Sequence, residues 1–99
     1  MSKEIEKIII SSLSRGEDSA IMCPELCKII GLNEREVRLF ISSMRLHGII
    51  ICSSSKGYFF PDSITELEAF IMQEKSRARS INKCLKPAED LLKKWKRGE

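Results

Sequence analysis

The chain has 99 residues, of which 42% are hydrophobic and 31% charged, with a formal net charge of +3. That length leaves room for one core, and that composition excludes a chain disordered throughout. No apolar run approaches the roughly 18 residues that span a bilayer, and the opening Met1 to Lys7 alternates charges where a secretory leader would be apolar, so a cytoplasmic protein with no membrane role is expected.

Ile5, Ile8, Ile9 and Leu13 recur at helical spacing, which predicts an amphipathic helix over 3–14, closed by Gly16. Ser19 to Met22 reads as a short extended piece. Pro24 sits where proline opens a helix, and Leu26, Ile29 and Ile30 form its apolar face up to Gly31. Asn33 with Glu36 three residues on is a capping-box pattern. It opens a helix over 34–46 that turns Val37, Phe40, Ile41 and Met44 inward and stops at Gly48. Two short helices joined by a tight Gly-containing turn make a helix-turn-helix signature.

The period then changes. Ile49 to Cys52 is β-branched and reads as a strand, Ser53 to Gly57 as a polar turn, and Tyr58 to Phe60 as an aromatic strand halted by Pro61. A plain loop is the alternative, disfavoured by the apolar residues on both sides. Ser63 and Glu66 form a second capping-box pattern, opening a long helix. Its stripe of Ile64, Leu67, Ile71, Ala78, Ile81, Leu85, Ala88, Leu92 and Trp95 keeps heptad spacing if Glu74 is counted as its one charged member. Residues 64–71 are expected to pack on the chain's own domain. Pro87 inside the helix predicts a kink or break near Lys86, with a second helix from Pro87 to Lys96. The fold class expected is mostly α with a small β-hairpin: a domain over 1–61 and a helical extension over 62–99.

Charge follows the same division. Residues 1–74 carry eight Lys or Arg against eleven Asp or Glu, a net −3; residues 75–99 carry nine against three, a net +6. A basic end suits an acidic partner such as a phosphate backbone, though a solvated tail helix has the same composition.

Metal and catalytic chemistry find little purchase. Cys23 and Cys27 are the only closely spaced cysteines, and Cys52, Cys84 and the single His47 complete no ligand set, so no metal is expected and the thiols read as free in a reducing compartment. His47 lies in no triad or nucleophile-elbow context, and the five glycines are scattered singly, so there is no phosphate loop. No enzymatic activity, cofactor or small-molecule ligand is expected.

The order of helix, short strand, helix, turn, helix and hairpin over 3–61 resembles a winged helix-turn-helix DNA-binding domain. It is most similar to the small winged-helix proteins of bacteriophages and prophages. The motifs carrying that resemblance are Asn33-Glu34-Arg35-Glu36-Val37-Arg38, Arg45-Leu46-His47-Gly48 and Ser54-Ser55-Lys56-Gly57-Tyr58-Phe59-Phe60-Pro61, with Ser76 to Ile81 resembling the helix after the wing. Pro87 and the Lys-rich end depart from the pattern. The resemblance implies double-stranded DNA as partner, in a bacterial cell or phage-infected host, with helix 34–46 in the major groove and wing 53–58 on the backbone.

On that footing Arg35 and Arg38 are candidates for guanine, Leu39 for a thymine methyl, Ser42 for a phosphate or base edge, and Arg45, Ser55 and Lys56 for further contacts. Arg45 near its helix end also fits a brace for the hairpin, and Glu34 and Glu36 reduce the charge of the face to +2. Arg77, Arg79 and Lys83 project from the long helix and extend the footprint, while Ile71, Ala78, Ile81, Leu85 and Leu92 are candidate homodimer contacts. Two alternatives stand beside DNA binding: an interaction adaptor working through the heptad helix, and a regulator with a redox-sensing cysteine.

Overall fold

A computed structural model describes residues 3–98. Met1, Ser2 and Glu99, at the ends of the expected domain and extension, lie outside the described residues. The chain is mostly helical with one two-stranded antiparallel hairpin. Helix α1 spans Lys3–Ser12, a 3-10 turn Glu17–Ser19, α2 Cys23–Ile30, α3 Glu34–Leu46, β1 Cys52–Ser54, β2 Gly57–Phe59 and α4 Ile64–Lys96. No helix among the described residues is long and apolar enough to cross a membrane.

The core gathers one apolar face from each of the first three helices: Ile9 of α1 with Leu13 just past its end, Leu26 of α2, then Val37, Ile41 and Met44 of α3, closed by Ile51 before the hairpin. The ends of α3 are fixed locally. The Asn33 side chain accepts from the Glu36 amide at 2.9 Å while the Glu36 carboxylate accepts from the Asn33 amide at 3.3 Å, completing the capping box the sequence predicts. Helix α2 ends at Gly31 in the left-handed conformation, its amide donating to the Cys27 carbonyl.

The hairpin is shorter than the sequence suggests and shifted. Ile49 and Ile50 stand outside the ladder, which pairs Cys52 with Phe59, Ser53 with Tyr58 and Ser54 with Gly57 around Ser55-Lys56. Turn length sets that register. Ile51 serves the core without joining a strand. The extended piece after α1 contributes only Ile21, whose amide and carbonyl both bond Tyr58 of β2, at 3.0 and 2.8 Å. Gly57 allows that approach: at φ +123° any added Cβ would lie 2.3 Å from the Ile21 carbonyl oxygen.

Helix α4 differs most from expectation. It runs unbroken from Ile64 to Lys96 with Pro87 inside it, so there is no separate helix from Pro87 onward. Every residue from Lys75 to Gly98 is exposed, so water has access to the helix around Lys83, whose carbonyl Pro87 leaves without its usual amide donor. The near turns also pack differently. Leu67 and Phe70 turn to the domain, whereas Ile64 is 77% and Ile71 42% exposed. The helix is anchored by Glu66, whose carboxylate accepts from the Glu17 amide and the Asp62 amide, each at 2.9 Å, while the Ser63 hydroxyl caps the Glu66 amide at 3.1 Å. Its free half stretches the chain to 55 Å, and the radius of gyration of 17.3 Å exceeds the ~13 Å of a compact domain this size.

Candidate nucleic-acid interface

Burial of Val37, Ile41 and Met44 determines which face α3 shows to solvent. At a period of 3.6 residues the remaining positions Arg35, Arg38, Leu39 and Ser42 form one exposed surface. Arg35 has no ion pair among the described residues. Arg38 is held at 3.6 Å by Glu34 one turn before it, an exposed pair that restrains the side chain weakly.

Arg45 departs from this face. It is half-buried, its Nε donates to the Ile51 carbonyl at 2.7 Å, its guanidinium reaches the Ser53 hydroxyl at 3.4 Å, and it lies 4.8 Å from the centre of the Phe70 ring. The brace reading describes it better than an outward contact. Burial lowers its pKa and the nearby Glu74 carboxylate opposes that; a guanidinium keeps its charge through such shifts.

Three elements meet beside it. Arg38, Ile41, Ser42 and Arg45 of α3, Ser53 and Tyr58 of the hairpin and Arg77 of α4 line a shallow cleft of about 190 Å³. A larger hollow of about 330 Å³ adjoins it between the start of α2 and the hairpin, sharing Arg38, Ser53 and Tyr58. Tyr58 forms the wall between them. Burial raises its phenol pKa, with Cys23 adding to the rise and the cations Arg45 and Arg38 opposing it, Arg38 also through a hydrogen bond. The cleft thus combines three guanidinium groups with hydroxyls from Ser42, Ser53 and Tyr58, a donor set suited to an anionic oxygen. Glu74 tempers its charge: Arg77 approaches that carboxylate at 3.3 Å.

The remaining candidates lie apart. Ser55 and Lys56 form the exposed hairpin tip, where the Lys56 ammonium meets Asp18 at 3.2 Å. Arg79 is exposed and unpaired among the described residues, further along α4. Tyr58 and Glu74 are the members that sequence reasoning missed. Tyr58 reads as a packing aromatic, and Glu74 as a flaw in an apolar stripe. A signal for Glu74 was present, since Arg77 follows three residues later on the same face.

Of the cysteines, Cys52 is buried, Cys23 and Cys27 half-buried and Cys84 exposed, and none is in a disulfide. Burial, then the adjacent Cys27, raises the Cys23 pKa. Among the described residues no cluster of three His, Cys, Asp or Glu is disposed to hold a metal ion. Comparison with known protein families finds no matching family model, and comparisons with curated proteins and with solved structures find no significant match.

Proposed function

We propose that residues 1–61 form a winged helix-turn-helix domain and that the chain binds double-stranded DNA, acting in the cytoplasm of a bacterial or phage-infected cell as a regulator of transcription or an accessory of phage replication or packaging. The observation that carries this reading is the meeting of the exposed α3 face with the polar cleft: Arg35, Arg38, Leu39 and Ser42 on one helix surface, flanked by Arg77 from α4 and, at the hairpin tip, by Ser55 and Lys56. Seated in a major groove, α3 would offer Arg35 to base edges, with Arg38 and Arg77 toward the backbone. Arg45 then contributes by holding the hairpin against α3. Free thiols suit a reducing compartment. Pairing of two chains through Ile71, Ala78, Ile81, Leu85 and Leu92 would relate two α3 helices by symmetry and match a two-fold DNA site.

Fluorescence anisotropy with random and enriched duplexes tests the reading. Four phosphate contacts, from Arg38, Lys56, Arg77 and Arg79, imply a roughly hundredfold loss of affinity between 50 and 200 mM salt. Replacing Arg35 and Arg38 with Ala should remove preference for an enriched site while leaving helical content unchanged. Absence of binding at low salt overturns the proposal.

An adaptor function is the second reading. The observation favouring it is the free half of α4, whose Ile81, Leu85, Leu92 and Trp95 are all exposed. An adaptor would bind a protein through that stripe and be indifferent to the Arg35 and Arg38 substitutions.

A further inference from the structure

The exposed stripe of α4 has a charge pattern that selects an occupant and an orientation. Along the helix Ile71, Ala78, Ile81, Leu85, Leu92 and Trp95 alternate at spacings that keep one face, and all stand in solvent. Pro87 lies two residues beyond Leu85, off the seam, so its ring faces away from it. Flanking one side of the seam, each directly after a stripe position, are Glu68, Lys75, Asn82, Glu89 and Lys96. In a two-helix seam such flanking side chains meet across the interface and decide partner and direction.

We propose that two copies of this chain pair through α4 in antiparallel orientation, with the two-fold axis near Lys83. This rests on the pairing proposed above and is independent of DNA binding. In that register Lys75 meets Glu89 of the partner subunit, Glu68 meets Lys96 of the partner subunit, and Asn82 meets its twin, so every charged flanking contact joins opposite signs. The apolar layers also match: Leu85 faces Ile81 of the partner subunit, small Ala78 faces Ala88 of the partner subunit, and Ile71 faces Trp95 of the partner subunit. The seam from Ile71 to Trp95 is about 36 Å long at 1.5 Å per residue.

The alternatives carry like-charge contacts. Sliding one heptad in one direction sets Glu68 against Glu89 of the partner subunit; sliding in the other sets Lys75 against Lys96 of the partner subunit. A parallel pair places Glu74 in the seam against Glu74 of the partner subunit and joins no opposite charges along its flanks. In the antiparallel register Glu74 meets Leu92 of the partner subunit instead, and its carboxylate stays with Arg77 on its own helix.

Sedimentation of the full chain, with a reciprocal charge swap, tests this. The wild-type chain is expected to be dimeric at tens of micromolar. Lys75→Glu and Glu89→Lys should each weaken the dimer roughly tenfold, because each creates two like-charge contacts per pair, and the double variant should recover wild-type affinity. Residues 75 and 89 are about 21 Å apart along one helix, so recovery reports a contact between chains, and circular dichroism checks that both variants keep their helix. A dimer in which the swap brings no recovery overturns the antiparallel register while leaving pairing in place. A monomeric wild-type chain overturns both.

Discussion

The Arg45 guanidinium lies 4.8 Å from the centre of the Phe70 ring while its Nε donates to the Ile51 carbonyl at 2.7 Å. One side chain therefore joins three elements: the helix it belongs to, the residue entering the hairpin, and α4. Its stem and charge are both engaged, which sets it apart from Arg35 and Arg38 on the same helix.

The first prediction separates those roles. Arg45→Ala leaves the Ile51 carbonyl without its charged donor, worth about 1.5–3 kcal/mol, and removes a cation–π contact worth about 0.5–1 kcal/mol. We expect a loss of about 2 kcal/mol in a urea titration, with little recovery in Arg45→Lys, which cannot fork and stack. Arg35→Ala should leave the midpoint within about 0.5 kcal/mol. Equal effects of the two alanine variants would remove the distinction.

This contrast also shows what the sequence made legible. The bounds of α3 could be read because they depend on neighbours: Asn33 with Glu36, the apolar spacing of Val37, Ile41 and Met44, and the stop at Gly48. The exposed face of α3 followed from the same spacing. The links that hold the cleft together could not be read, because their partners are distant in the chain. Arg45 meets Phe70, Glu66 meets Glu17 across 49 residues, and Tyr58 meets Ile21. The strand boundaries shifted because pairing is counted outward from the turn at Ser55-Lys56, and a β-branched run such as Ile49 to Ile51 carries no information about that count.

Gly57 gives the second prediction. A methyl group there would collide with the Ile21 carbonyl at a backbone angle that side chains rarely adopt. Gly57→Ala should cost about 3 kcal/mol or more, combining strain with displacement of the Ile21 segment. Hydrogen exchange provides the local readout: the Ile21 and Tyr58 amides should lose protection before those of α1. Wild-type stability in Gly57→Ala would mean that the Ile21 segment and β2 do not approach so closely.

Glu66 ties the start of α4 to the turn after α1 through the Glu17 amide, and to the segment leading into the helix through the Asp62 amide. Glu66→Ala leaves both without their carboxylate acceptor, each loss worth about 1–3 kcal/mol where water does not replace it. The Asp62 amide is exposed and the Glu17 amide part-buried, so we expect about 2 kcal/mol in total. Glu66→Gln, which keeps one acceptor oxygen, should lose less. Faster exchange of the Glu17 amide in Glu66→Ala than in wild type checks the contact directly.

The thiols and the phenol give a pH dependence with a defined sign. Burial raises the pKa of Cys23, Cys52 and Tyr58, with Cys27 adding to the effect at Cys23. Each folded group holds its proton to higher pH than the unfolded chain does, so its contribution is fully present below the unfolded value and fades as pH rises through the folded one. Those unfolded values are about 8.5 for Cys and about 10 for Tyr. Melting temperature should therefore fall progressively above about pH 8.5. Alkylation should follow exposure, with Cys84 first, Cys23 slower and Cys52 protected until the chain unfolds. A flat melting temperature from pH 8 to 10.5 would contradict the first expectation, and early labelling of Cys52 the second.

Pro87 tests the continuity of α4. The helix passes through it with every neighbour exposed, so water can solvate the Lys83 carbonyl that lacks an amide donor. That hydration lessens the penalty of an interior proline, about 3 kcal/mol in a helix, without removing it. Pro87→Ala restores the amide and relieves the ring's contact with the preceding turn. Because residue 87 is off the apolar stripe, the substitution leaves Ile81, Leu85, Leu92 and Trp95 untouched. Any strengthening of self-association must then come from a stiffer helix. We expect a larger helical signal at 222 nm and tighter self-association in Pro87→Ala, while the urea midpoint followed by Tyr58 fluorescence stays unchanged, since Arg77 is the last residue of α4 to line the cleft and every residue from there to Gly98 is exposed. A shift of that midpoint would show that the far half of α4 is coupled to the core.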